Sequence, residues 1–181
     1  MSKRICLIVG HGGKDKGAYN KITKETELDY NLDLAPKIKE KLIEQGYIVD
    51  IHNRGNASSE NIHYLNKIDF DIIVSLHCNA YNGYANGTEV LYWNTSTKGQ
   101  LLAQLLQESI VDTLGLQDRG LKPIKYGNRG AYLLGKTKAV TVLIEPFFID
   151  NDNDFKVGKE KKEDYVLAIV NGINKYFKNK E

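Results

Sequence analysis

Ile5-Cys6-Leu7-Ile8-Val9-Gly10-His11-Gly12-Gly13 is five apolar residues running into a glycine-flanked histidine. Asp71-Ile72-Ile73-Val74-Ser75-Leu76-His77-Cys78-Asn79 follows the same plan further along the chain. A strand buried on both faces of a parallel sheet reads as a continuous hydrophobic run rather than an alternation. Functional groups in open α/β sheets collect beyond the carboxyl ends of such strands. One strand-end histidine is more often structural than chemical. Two, brought to one rim from distant segments, are what a metal site needs.

Working outward, apolar runs predict strands at 4–10, 47–52, 70–77, 88–93, 131–134 and 139–145. Helical spacing predicts helices at about 28–45, 58–68, 97–114 and 162–177. In the first, Leu28, Leu32, Ala35, Ile38 and Leu42 form the apolar stripe, and Pro36 calls for a kink or a late start. Ser58 and Ser59 are candidate caps of the second. Strand–helix alternation argues for a single α/β domain spanning residues 1–181. Its expected core is a largely parallel twisted sheet of about six strands, flanked by helices on both faces. Two loops, 11–26 and 115–130, are long for a compact domain and are expected to carry function. There is no internal repeat, low-complexity tract or evident second module.

The 181 residues are enough to bury a core, and 41% hydrophobic with 27% charged residues is ordinary for a globular chain. A net charge of +2 gives no argument for nucleic acid. The lysines at 156–162 and 175–180 read as a solvated helix end and tail. Cys6 and Cys78 lie in apolar strand contexts and read as core residues rather than a disulfide. The apolar run after Met1-Ser2-Lys3-Arg4 is too short for a signal peptide, and no run reaches membrane-spanning length. The expectation is therefore synthesis in the cytoplasm without a leader and no stable membrane insertion.

A catalytic zinc takes three protein ligands and leaves a position for water. His11 and His77 supply two, and Glu27, at the edge of the first helix, is the third candidate, with Glu25 its competitor. Cys78 should face away if His77 faces the metal, because neighbouring strand residues point to opposite sides. Within the glycine-rich segment Gly10–Gly17, Gly12 to Gly17 has the spacing of a phosphate loop, but Ala18-Tyr19 stand where Lys-Ser/Thr belong. Asp15 occupies the third glycine position of a dinucleotide loop. Its glycines instead allow a tight turn over an open site. Glu145, in Leu143-Ile144-Glu145-Pro146-Phe147-Phe148, ends an apolar strand, where a carboxylate is costly to desolvate unless paired or functional. It reads either as a general base or as a structural carboxylate paired with Lys or Arg.

Taken together, these segments resemble the zinc-dependent N-acetylmuramoyl-L-alanine amidases of the amidase type 3 family, found as catalytic domains of phage endolysins and bacterial autolysins. The resemblance rests on Gly10-His11-Gly12-Gly13 with Gly17-Ala18, Glu27, Leu76-His77-Cys78-Asn79-Ala80, Gly87-Thr88-Glu89-Val90 and Leu143 through Asn151. It covers nearly the whole chain in order. Ile51-His52-Asn53-Arg54 departs from a threonine-arginine pair common in the family, Pro146 departs from its commonest version, and His63 reads as surface.

The resemblance implies one Zn2+ held by His11, Glu27 and His77, with Glu145 as catalytic glutamate and peptidoglycan as substrate. The bond cut would be the amide between N-acetylmuramic acid and L-alanine. Asn79 and Glu89 are candidates for orienting the metal-bound histidines. Arg119, Lys122, Lys125 and Arg129 are candidates for meeting stem-peptide carboxylates, and Tyr81, Tyr84 and Trp93 for stacking or for packing. A monomeric phage or prophage endolysin, reaching the wall through a separately encoded pore, fits these features, and an autolysin catalytic domain fits nearly as well. The competing readings are a zinc peptidase cutting within the stem peptide, a non-catalytic peptidoglycan-binding module, and a structural metal site with four protein ligands.

Overall fold

The computed structural model describes residues 2–53 and 58–179. The chain runs β1 (Arg4–Val9), α1 (Glu27–Glu44), β2 (Ile48–Asn53), α2 (Ser58–Lys67), β3 (Ile72–Leu76), β4 (Thr88–Trp93) and α3 (Thr97–Leu114). It continues through β5 (Asp118–Ile124), α4 (Ala131–Lys136), β6 (Val140–Glu145), α5 (Asp152–Glu160) and α6 (Lys162–Lys178). The strands form one six-stranded sheet in the order β2-β1-β3-β6-β4-β5. All neighbours are parallel except β4 and β6, so β4 and β5 run against the other four. The expected mostly parallel α/β sheet with helices on both faces is what the chain adopts.

β1 and β3 are central and no residue of Ile5–Val9 or Ile72–Leu76 exceeds 2% exposure, which is why both read as unbroken apolar runs. α1, α3, α5 and α6 cover one face, and α2 and α4 the other. β1 connects outward to β2 through α1, whereas the chain returns through α2 to β3 on the other side of β1. The crevice between β1 and β3 is thus a topological switch point, where open α/β sheets bind their ligands.

Thr26 caps α1 through a box with Asp29, so the helix begins at Glu27 and the late start anticipated from Pro36 does not occur. Leu34, Ile38 and Leu42 are fully buried, each contributing on the order of 1.5–3 kcal/mol. Leu32, placed on the apolar stripe from spacing, is 43% exposed, and Tyr30, Asn31 and Leu34 take the inner face instead. Two larger corrections concern the second half. Residues 118–124, assigned to a loop, form the edge strand β5, whose half-exposed sequence Asp-Arg-Gly-Leu-Lys-Pro-Ile hides its pairing. Residues 131–134, assigned to a strand, open α4; so short an apolar run has no resolvable period. Among the described residues, the lysines read as solvated lie on or between α5 and α6, where Lys159 pairs with Glu25 and Lys162 with Asp33. Among the described residues no helix is long and apolar enough to cross a membrane. Arg54 and the side chains of Ser58 and Ser59 lie outside the described residues.

Candidate active site

Five strands place one polar or charged side chain each along the same rim. His11 follows β1, His77 follows β3 and Glu145 ends β6; because β4 and β5 are reversed, their beginnings supply Glu89 and Arg119 at that rim too. Glu89 stands directly opposite Glu145 in the β4–β6 register, so the two carboxylates leave the same face. His77 and Cys78 diverge as strand alternation requires: Cys78 is buried in the core on the α1 side, and burial pushes its thiol well above the ordinary range.

Glu27, 3% exposed at the first turn of α1, reaches back over the β1–β3 crevice. Its Oε2 lies 3.1 Å from His11 Nε2 and its Oε1 2.8 Å from His77 Nδ1, and Oε1 also accepts the Cys78 backbone N–H at 3.0 Å. Burial alone would raise the Glu27 carboxyl, but the two imidazole hydrogen bonds overcome it and bring it down to about 2. An ionised carboxylate only accepts, so both nitrogens facing it must donate. His11 Nδ1 also faces a carboxylate, Asp15 Oδ2 at 2.8 Å. His11 therefore carries both protons, and the hydrogen bond to Glu27, opposed by burial, raises it to about 9. His77 is lowered by its own burial and donates to Glu27 as neutral imidazole.

Ligand atoms of His11, Glu27 and His77 all lie within 4.8 Å of one another, the only such group among the described residues. Two nitrogens and a carboxylate oxygen suit zinc. The backbone is shaped around them. A Cβ at Gly10 would stand 2.3 Å from the His77 ring, and one at Gly17 2.6 Å from Glu27 Oε2 and 2.8 Å from His11 Cδ2. His11 itself holds a left-handed φ of 62°, a conformation that costs a non-glycine residue roughly 1–2 kcal/mol. The residues fit a metal ion. Glu25, the competing ligand, is drawn away by Lys159.

Glu145 is completely buried. Arg129 donates to its Oε1, while Oε2 has no partner among the described residues. Burial lifts this carboxyl to about 8 against the lowering effect of the Arg129 charge. Arg129, first considered for substrate carboxylates, is engaged here instead. Asn79 and Glu89 were expected beside the histidines but bind each other: Asn79 Nδ2 donates to Glu89 Oε1 at 2.8 Å, and Arg119 Nε to Oε2 at 2.8 Å. The partner that holds His11 is Asp15, which the sequence reading passed over; its spacing of four residues from His11 across a glycine turn was the available signal. Lys122 donates to the Arg119 carbonyl, and Lys125 is exposed. Tyr81 and Tyr84 are more than four-fifths exposed, whereas Trp93 packs against Tyr126. His63 is exposed, and His52 stacks on Tyr64.

Fold and site define an α/β domain with a cluster of candidate metal donors and a buried carboxyl on the same rim. The sequence matches the Amidase_3 family, described as N-acetylmuramoyl-L-alanine amidase, over residues 5–175, and the chain belongs to that family of cell-wall amidases. It is 29% identical to the N-acetylmuramoyl-L-alanine amidase LytC of Bacillus subtilis across 98% of this chain, but spans 36% of LytC. The N-acetylmuramoyl-L-alanine amidase from Clostridium difficile 630 matches with a TM-score of 0.87 at 26% identity, covering 99% of both chains. The catalytic domain of the CD27L endolysin targeting Clostridia difficile matches at 0.82 and 30% identity, over 96% of this chain and 97% of that one.

Proposed function

We propose that the chain hydrolyses the amide joining the lactyl group of N-acetylmuramic acid to L-alanine in peptidoglycan, using zinc held by His11, Glu27 and His77. Bound zinc supplies Lewis acidity that acidifies a water and polarises the scissile carbonyl. Asp15 keeps the Nδ1 proton of His11, so that Nε2 is the nitrogen released for the metal. The charge of a bound zinc would bring the Glu145 carboxyl down from its raised value, and as a carboxylate it would take the proton of the attacking water and pass it to the leaving nitrogen. Arg129 occupies Oε1, which leaves Oε2 as the oxygen for that proton. The observation that carries this reading is the buried, half-partnered carboxyl of Glu145 on the same rim as three clustered metal donors. Delivery to the wall through a separately encoded pore, as for an endolysin, belongs to the same proposal.

Mass spectrometry of digested cell wall tests it. The wild type should create new N-terminal alanine, and Glu145→Gln should lower that rate at least a hundredfold while keeping its zinc. New ends within the stem peptide would instead identify a peptidase, and undiminished lysis by Glu145→Gln would remove the role assigned to that residue.

A further inference from the structure

Between β3 and β4 the chain crosses residues 80–87, Ala-Tyr-Asn-Gly-Tyr-Ala-Asn-Gly, a turn without a single charge in a protein that is 27% charged. Side chains fix its backbone. Asp150 Oδ2 accepts the Tyr81 and Gly83 N–H groups at 3.0 and 2.9 Å, and Asn82 Oδ1 accepts those of Tyr84 and Ala85 at 3.0 and 2.9 Å. Asn151 Nδ2 donates to the Tyr84 and Ala85 carbonyls, both at 3.2 Å, and Asp154 Oδ2 accepts from the Gly87 N–H at 2.8 Å. Tyr81 and Tyr84 are nonetheless the two most exposed large apolar side chains among the described residues. One exposed tyrosine needs no explanation. Two on a single immobilised turn, with asparagine and glycine between them, have the composition of a recognition surface: rigid rings for contact area, small polar groups for hydrogen bonds.

The turn also stands at the candidate active site. Tyr81 follows the metal donor His77 by four residues, so their Cα atoms are at most about 14 Å apart. At the other end Gly87 is two residues before Glu89, which stands opposite Glu145 in the sheet. Resting on the amidase reading, the bond to be cut ties a saccharide to a peptide, and the surroundings of the rim differ in charge. Toward α2 and α4 it opens into a cavity lined by Asp15, His52, Asn128 and Arg129 beside the two histidines. Those groups match the carboxylates, amine and amides of a stem peptide, to which the uncharged turn offers no counterion. A muramoyl unit whose carboxyl is spent in the amide, and the amino sugars adjoining it, carry no charge. Their ring C–H faces can lie on tyrosine rings, and their hydroxyl and acetamido groups can bond tyrosine hydroxyls and the Asn82 amide. The neighbouring loop does not share this character. Asn20 ties it to Ile149 and Asp152, but its exposed Tyr19 and Ile22 are interspersed with Lys21 and Lys24. We propose that Tyr81 and Tyr84 form a docking platform for the uncharged glycan strand, holding the sugars that adjoin the muramoyl unit being cut.

The test measures affinity of the full chain for a peptide-free glycan strand by calorimetry. It also measures kcat and KM of the zinc-loaded chain on a strand carrying stem peptides and on a single muramoyl-peptide. Tyr81→Ala/Tyr84→Ala, which removes rings that lie in solvent, should keep the wild-type Tm. It should bind the peptide-free strand at least tenfold more weakly and raise KM on the peptide-bearing strand by a similar factor, with kcat within about twofold. KM on the single muramoyl-peptide, which lacks the adjoining sugars, should change less than threefold. Tyr81→Phe/Tyr84→Phe keeps the ring faces and should stay within about threefold of wild type throughout. Unchanged strand affinity in the alanine variant, or an equal rise in KM on both substrates, overturns the platform while leaving the amidase reading intact. So does a matching loss of affinity for sugar-free stem peptide, which would make the turn a peptide contact. Cleavage within the stem peptide, with strand affinity still lost in the alanine variant, overturns the amidase reading alone.

Discussion

Glu145 combines two environments in one side chain: Oε1 meets Arg129, and Oε2 meets nothing among the described residues. A carboxyl held at about 8 when folded and near 4.5 when unfolded has a definite effect on stability. Between those values the folded protein keeps a proton that the unfolded chain has released, so rising pH weakens the fold through this residue. Glu145→Gln has no such proton to lose. With metal chelated, urea unfolding should show Glu145→Gln gaining on the wild type from pH 5 to pH 8 by about 2 kcal/mol or more. A gap that stays constant across that range would mean Glu145 is not held neutral. The same residue was legible in sequence as a carboxylate ending an apolar strand, but its partner was not. Arg129 lies before α4 and reaches Glu145 only because that short helix packs beside the end of β6.

Reversal of β4 and β5 is what lengthens the functional rim beyond the two histidine strands. Had β4 been parallel, Glu89 would lie at the opposite end of the sheet from Glu145. β5 then serves mainly to deliver Arg119 to Glu89, across the register shift between Thr88 and Val90. Replacing Arg119 with Ala leaves a 9% exposed carboxylate with Asn79 and a distant Lys122, and should cost about 1–3 kcal/mol in chemical denaturation. Lys125→Ala, at the exposed end of the same region, should change stability by no more than about 0.5 kcal/mol. Equal effects would show that β5 does not anchor the rim through Arg119. The central strands were readable because double burial demands an unbroken apolar run. β5 was not, since an edge strand with Gly120 and Pro123 satisfies half its bonds with solvent and carries no such pattern. The nine residues of α5 were hidden for a related reason: charged on most sides, the helix is marked mainly by its Asn151 cap.

Across the whole molecule, the metal donors come from a loop after β1, the first turn of α1 and the end of β3, so an ion bound there fastens three elements together. Zinc at about a hundredfold over its Kd should add about 2.7 kcal/mol to stability, which is roughly 5–10 °C in Tm for a chain of this size. Thermal unfolding with zinc and with chelator should show that shift in the wild type and none in Glu27→Gln; a shift surviving in the variant would exclude Glu27 as a ligand. His11, Glu27 and His77 were legible because each follows a strong local signal, a strand end or a helix start. Asp15 was passed over although it stands only four residues after His11, whereas the Glu89–Asn79–Arg119 cluster was hidden because it joins β4, β5 and the segment after β3. The row of side chains across the five strands also has an order in time. As the ribosome emits the chain, all three donors have appeared by residue 77, whereas Glu145 emerges 68 residues later and from the far side of β3. On the proposed mechanism, a nascent or truncated chain ending before β6 would hold every side chain for gripping a metal and none for moving the proton, so the ability to cut would belong only to the finished sheet.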